Sequence, residues 1–203
     1  KKVARLIFNF GTLADSCFYW GYIRTGGLAL RLFKDSVCGQ EKDGDYFDVL
    51  NDAAKDIPAG SDGVLFLPYL TGGTNDVKEA TGCFLNMTLD KDKATLWHAV
   101  LEAIGYDYMK ITDLYRGAGV DMSRITITEG GSRSGIWNQM KSDMLGSEVI
   151  TLKNAGGAVV TDCIVGAYAL GHITDMKAAL TESLEIKKLY YTNAENHDFY
   201  AKQ

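Results

Sequence analysis

This sequence offers metal chemistry almost nothing to work with. Its three histidines, His98, His172 and His197, are isolated from one another. A zinc site needs clustered nitrogen or sulfur donors, so each reads as a packing or surface residue, and no metal ligand is assigned. The four cysteines, Cys17, Cys38, Cys83 and Cys163, are scattered with no CxxC pair. They read as reduced thiols of a cytoplasmic protein. Long apolar runs are missing as well. Gly63-Val-Leu-Phe-Leu67 is among the longest, against the roughly 20 residues a helix needs to cross a bilayer, so no membrane is expected as a partner. No secretory signal is expected at Lys1, which leaves the sequon Asn86-Met-Thr88 an accidental match. No Lys/Arg cluster offsets a net charge of -5, and nucleic acid is not expected as a partner either.

What is present is the composition of an ordinary globular protein: 203 residues, 46% hydrophobic and 23% charged. That length can bury a substantial core. No repeat, low-complexity tract or Pro/Gly/Ser linker divides it, so residues 1–203 are read as a single domain.

Strand and helix patterns alternate. Val3 to Phe10 is a β-rich run that breaks at Gly11-Thr12, and Leu13 to Tyr22 is aromatic-rich and partly strand. Gly26-Gly27 opens a helix ending near Cys38-Gly39, and a second helix spans Tyr46 to Ala54. Val64 to Leu67 reads as a buried strand followed by a Gly/Thr/Asn loop through Asn75. Trp97, Val100, Ile104, Tyr108, Ile111 and Tyr115 recur at helical spacing and end at Gly117, giving the longest helix. Val149 to Leu152 is a strand. Ala158 to Leu170 is a helix apolar nearly all round, expected to be buried against a sheet. Asp175 to Leu184 is read as the last helix, leaving a polar and aromatic tail from Tyr190 to Gln203.

The most informative stretch is Ile125 to Gln139. A β-branched run enters Gly130-Gly131, and a helical pattern (Ile136, Trp137, Met140, Met144, Leu145) leaves it. Glycines allow close backbone approach, and a following helix start presents unpaired N–H groups, so the junction suits a phosphate or a nucleotide. Gly26-Gly27 and Gly156-Gly157 repeat the theme, enough to build a multi-loop cradle. Neither common nucleotide fingerprint is present: GxxxxGK[ST] is missing, as is GxGxxG with a later acidic ribose ligand.

The order of these segments resembles the C-terminal domain of the FGGY carbohydrate kinases. The matching segments are Phe10-Gly11-Thr12, Arg24 to Asp35, Leu65 to Leu70, Gly82 to Met87, Leu96 to Glu102, Gly130 to Gln139 and Gly156-Gly157-Ala158. The resemblance implies an α/β fold of the ribonuclease-H-like, actin-like ATPase type, a mixed sheet flanked by helices that forms one wall of an ATP cleft. It implies ATP and Mg²⁺ as cofactors and a small-molecule sugar as substrate. It also implies the protein's own N-terminal domain as intramolecular partner, with a homodimer as the candidate assembly.

Position by position, Gly11 and Thr12 match a hairpin that holds the ATP phosphates. Gly27 and Arg31 match a helix start facing phosphates and ribose, although Arg31 also fits an ordinary solvated helix charge. Gly130 belongs to the matching glycine pair, and its neighbour Gly131 matches the residue packed against adenosine. Gly135 stands where some members place an adenine-binding Asn, and Asn138, one turn on, is the substitute. Departures are Asn86 in place of Gly, Thr95 in place of a His-like residue, and short loops at 71–75 and between Thr12 and Gly26. Glu102 is read as structural. The family's catalytic aspartate lies in the preceding domain, and none of Asp15, Asp62 and Asp76 is singled out as a base. The reading is the ATP-binding half of a kinase for a pentulose or similar sugar; a noncatalytic actin-like interaction domain is the alternative.

Overall fold

The computed structural model describes residues 7–11, 16–73, 79–154 and 157–203. Thr12, Asp15, Asp76 and Gly156 lie outside these residues. The chain opens with a hairpin of β1 (Ile7–Phe10) and β2 (Cys17–Trp20), antiparallel in the register Ile7↔Trp20 and Phe10↔Cys17. Helix α1 (Gly26–Leu32) runs into a π-helical turn at Phe33–Val37, and α2 spans Tyr46–Ala54. A second antiparallel pair joins β3 (Leu65–Leu67) to β4 (Cys83–Leu85). Only the middle residue of β3, Phe66, is buried; Leu65 is exposed.

The central helix α3 (Lys93–Gly117) is 25 residues long and begins where the Asp92 carboxylate accepts the Thr95 N–H at 2.9 Å. Capping by an aspartate satisfies a donor that the first turn leaves unpaired. The first half of the apolar stripe expected of this helix is core: Trp97, Val100 and Ile104, with Leu101, are each at most 1% exposed, whereas Tyr108, Ile111 and Tyr115 are half-buried. Beyond α3 come β5 (Arg124–Ile127), α4 (Gly135–Leu145), β6 (Glu148–Leu152) and α5 (Gly157–Ala169), then α6 (Met176–Ser183), β7 (Ile186–Tyr190) and α7 (Ala194–Tyr200). β5 and β6 are parallel, as a crossover through α4 requires, and β7 adds antiparallel on the other side of β6.

Two expectations from sequence are corrected. The apolar helix α5 has no buried residue, and Val159 and Leu170 at its ends are 68% and 75% exposed. Among the described residues the strands pair into three small sheets, and the chief neighbour of α5 is α6. Nor is α6 the last helix. β7 and α7 follow α6, and Tyr200 is buried at 3% exposure. Seven-residue α7 is too short for a clear period, and it depends on Asn193, whose side chain accepts the Asn196 N–H at 3.1 Å.

Among the described residues no helix is long and apolar enough to cross a membrane. All four cysteines are free, with Cys17, Cys83 and Cys163 exposed.

Candidate functional site

β5 delivers the chain to Glu129, whose backbone stands at φ 59, ψ -157. A side chain seldom tolerates that conformation. It turns the chain into a 3₁₀ turn at Gly130–Ser132, closed by the Ser132 hydroxyl donating to the Glu129 carbonyl at 2.7 Å. Helix α4 then starts at Gly135, capped by the Ser134 hydroxyl accepting the Trp137 N–H at 3.3 Å.

Two side chains of α4 reach back to hold this turn. Asn138, fully buried, donates to the Ser132 carbonyl at 2.7 Å. Lys141, 2% exposed, donates to the Gly131 carbonyl at 3.1 Å and to Asn138 Oδ1 at 3.3 Å. Its ammonium also lies 3.6 Å from the centre of the Trp137 ring. The turn is therefore braced from beneath by a lysine with no carboxylate partner among the described residues. Burial pulls the Lys141 ammonium down to about 7, because a low-polarity surrounding disfavours the charged form.

Facing the turn across a cleft of about 850 Å³ is α1, with Gly27 in its first turn and Arg31 in its last. Trp97, Leu101 and Trp137 also line this cleft, with Asp45 and Asp48 of the α2 region. The volume suits a nucleotide-sized ligand. Arg31 is exposed and makes no hydrogen bond or ion pair among the described residues, and Arg133 is a further cation on the lining.

Four of the residues assigned from sequence are thus brought together: Gly27, Arg31, Gly130 and Gly131. Gly11, at the β1–β2 turn, donates its N–H to the Ser16 carbonyl at 2.8 Å and is not on the lining. Gly135 is the first residue of α4 and does not line the cleft. Asn138, assigned as a substitute adenine donor, is turned inward instead, its amide committed to Ser132 and Lys141. Of the three loop aspartates considered, only Asp62 is described, and it does not line the cleft.

Glu102 is structural. Its carboxylate accepts the Gly60 N–H at 2.7 Å, the Ser61 hydroxyl at 2.6 Å and the Tyr200 hydroxyl at 2.6 Å. Because the Ser61 proton goes to Glu102, the 2.8 Å contact between Ser61 Oγ and His98 Nδ1 needs the imidazole as donor. Burial holds His98 below its ordinary range, so the ring is neutral.

Reading by pattern missed Lys141. One signal was available: it stands four residues after Trp137 and three before Met144, on the apolar stripe of α4. A charge on a buried helix face calls for a specific partner.

Comparison with known proteins agrees with this architecture. Residues 19–170 match the C-terminal domain of the FGGY family of carbohydrate kinases. The chain belongs to that family. It is 29% identical over 196 residues to the xylulose kinase of Staphylococcus epidermidis, covering 96% of this chain and 38% of that protein. It is 32% identical over 170 residues to the gluconokinase of Bacillus subtilis, covering 78% of this chain and 33% of that protein. Xylulose kinase from Rhodospirillum rubrum superposes with a TM-score of 0.77 at 23% identity, over 98% of this chain and 40% of the other. Plasmodium falciparum glycerol kinase with ADP gives 0.78 at 15% identity, over 97% and 40%. The fold is the actin-like, ribonuclease-H-like domain of these kinases. The chain spans less than two fifths of the length of either sequence relative.

Proposed function

We propose that this chain is the nucleotide-binding half of a sugar kinase, which transfers the γ-phosphate of ATP to a hydroxyl of a pentulose or similar polyol. The observation that carries the reading is the cleft between α1 and the Gly130–Ser132 turn. It unites Gly27 and Arg31 with Gly130 and Gly131, residues separated by about a hundred positions. The S. epidermidis and B. subtilis relatives are a xylulose kinase and a gluconokinase, which supports a small sugar or sugar acid as the substrate class.

The lining suits a polyphosphate. Arg31 and Arg133 supply positive charge, neither of them in an ion pair with a carboxylate among the described residues. Phosphoryl transfer depends on positioning and charge neutralisation more than on covalent chemistry by the protein. Gly27 and Gly130 admit the ligand closely, and the cations hold and orient its phosphates. Among the described residues no group of three or more His, Cys, Asp or Glu could hold a metal. Mg²⁺ would enter on the nucleotide, where it neutralises phosphate charge, and Asp45 and Asp48 are the carboxylates on the cleft lining.

The base for the sugar hydroxyl is assigned to a preceding domain, which these relatives have the length to contain. The same domain is the partner proposed for the exposed apolar faces of β1–β2 and α5. A cytoplasmic setting fits the free thiols, and light scattering tests the homodimer. The experiment for the reading is a coupled ATP-consumption assay with xylulose, ribulose, gluconate and glycerol. The full-length enzyme is expected to consume ATP with one of them, and the 203-residue chain with none. Robust phosphorylation by the chain alone would overturn this division of labour.

A further inference from the structure

Lys141 is an anomaly as a purely structural residue. A buried ammonium is costly unless a carboxylate or several strong acceptors compensate it. Here the acceptors are one backbone carbonyl, one amide oxygen and the face of Trp137. No carboxylate pairs with Lys141 among the described residues. Asp143, on the same helix, accepts from Gln139, Asn193 and Asn196. Glu102 of α3 is held by Gly60, Ser61 and Tyr200, and Glu148 of β6 pairs with Arg124. Asp45, just before α2, and Asp48, in its first turn, stand on the cleft lining and are exposed to solvent, and Glu129 is exposed. The other groups around the cleft are cationic or neutral: Arg31, Arg133, Tyr108 and, behind α4, Tyr190, whose ring faces Lys188.

We propose that Lys141 is a proton-linked positioning residue of the nucleotide cleft: its buried ammonium holds the Gly131 carbonyl, and the negative charge of the bound nucleotide serves as its missing counter-charge. Nucleotide binding then draws a proton onto this side chain. This rests on the reading of the cleft as the nucleotide site. It goes beyond that reading because it makes affinity depend on pH through a residue that need not touch the ligand. In the free protein burial pulls the Lys141 ammonium down to about 7, within reach of a neutral pH. A bound polyanion favours the charged form, and the side chain becomes fully protonated in the complex. By linkage, affinity strengthens as pH falls through neutrality and weakens as it rises. Above neutrality the neutral amine interacts weakly with the anion and with Trp137.

The test uses the full-length enzyme and magnesium-loaded ADP. Titrations from about pH 6 to about pH 8 are expected to show the Kd weakening about tenfold, and calorimetry in buffers of different ionisation heat to show about half a proton taken up near neutrality. Lys141→Met, of similar length and apolar, removes both effects. Lys141→Arg retains affinity and loses the pH dependence, because a guanidinium stays charged throughout. His98 is retained in both variants and cannot supply the missing slope. Wild-type binding with no proton uptake, or an unchanged pH slope in Lys141→Met, would overturn the proposal. Gly130→Leu separates the two layers of the argument. If Gly130→Leu and Lys141→Met both leave ADP affinity unchanged at every pH, the cleft reading falls and takes the proposal with it. If Gly130→Leu weakens binding while Lys141→Met weakens it equally at every pH, the cleft stands and the proton linkage alone is wrong.

Discussion

The hydroxyl of Tyr200 donates to Glu102 Oε1 at 2.6 Å, joining residues 98 positions apart. This bond anchors the end of the chain to the middle of α3, and the same carboxylate holds the loop at Gly60 and Ser61. Burial and the neighbouring Glu102 carboxylate both push the Tyr200 phenol above its ordinary range, so it remains a donor at any working pH.

Tyr200→Phe should therefore destabilise the domain by about 1–2 kcal/mol, since a hydrogen bond to a charged acceptor is worth roughly that and Glu102 keeps its other donors. Urea denaturation checks it through the midpoint at constant slope. A midpoint equal to wild type would show that α7 is not fastened this way.

Glu129 offers a change in the opposite direction. Its φ of 59 and ψ of -157 fall where glycine is at ease and other residues are strained. Relief of about 1–3 kcal/mol of strain outweighs the roughly 0.5–1 kcal/mol entropic cost of glycine. Glu129→Gly is thus expected to raise the melting temperature by a few degrees. A lowered one would count against the strain.

Stability of the unliganded protein should rise between about pH 7 and about pH 10. The Lys141 side chain titrates at about 7 when folded and near 10.4 when unfolded, so in that window the unfolded chain holds more protons and raising pH favours folding. Below about pH 7 both states are protonated and this slope disappears. Lys141→Met should flatten the rise, as denaturation midpoints over that range would record. A rise of equal size in the variant would assign the effect to other groups.

The exposed aromatics of the hairpin and the apolar face of α5 make a fourth expectation. Phe10 is 84% exposed, Trp20 49% and Val159 68%, apolar surface of the kind that marks an interaction face. The 203-residue chain alone should bind a hydrophobic dye strongly, and the full-length enzyme weakly. Equal, weak dye binding by both would argue that no preceding domain covers these faces.

Much of the fold was legible where one residue type settles one local choice. The α2 helix appears with the expected bounds, Tyr46 to Ala54, because an amphipathic run ends shortly before Pro58. The α3 stripe was visible because its period persists from Trp97 to Tyr115, about five turns. What escaped the sequence depends on neighbours. The apolar composition of α5 implies that something covers it but not whether that cover lies within this chain. β4 and β7 are three and five residues long, too short for alternation to stand out, and they exist because β3 and β6 offer edges. At the cleft, the glycine turns could be read from sequence because a turn next to a helix start has a local signature. That Asn138 faces inward and Lys141 braces the turn follows from how α4 is rotated against α3, where Met144 occupies the space a β-carbon on Gly105 would need.

The central claim is that the cleft between α1 and the Gly130–Ser132 turn receives ATP, and Gly130 gives it the most direct test. A β-carbon at Gly130 would meet no atom within 4 Å, although the residue lines the cleft. Gly130→Leu should consequently fold as well as wild type while filling ligand space. In the full-length enzyme we expect its KM for ATP to rise about thirtyfold, equivalent to about 2 kcal/mol of lost binding, with the sugar KM and the melting temperature nearly unchanged. An ATP KM equal to that of wild type in a normally folded variant would contradict the assignment of this cleft.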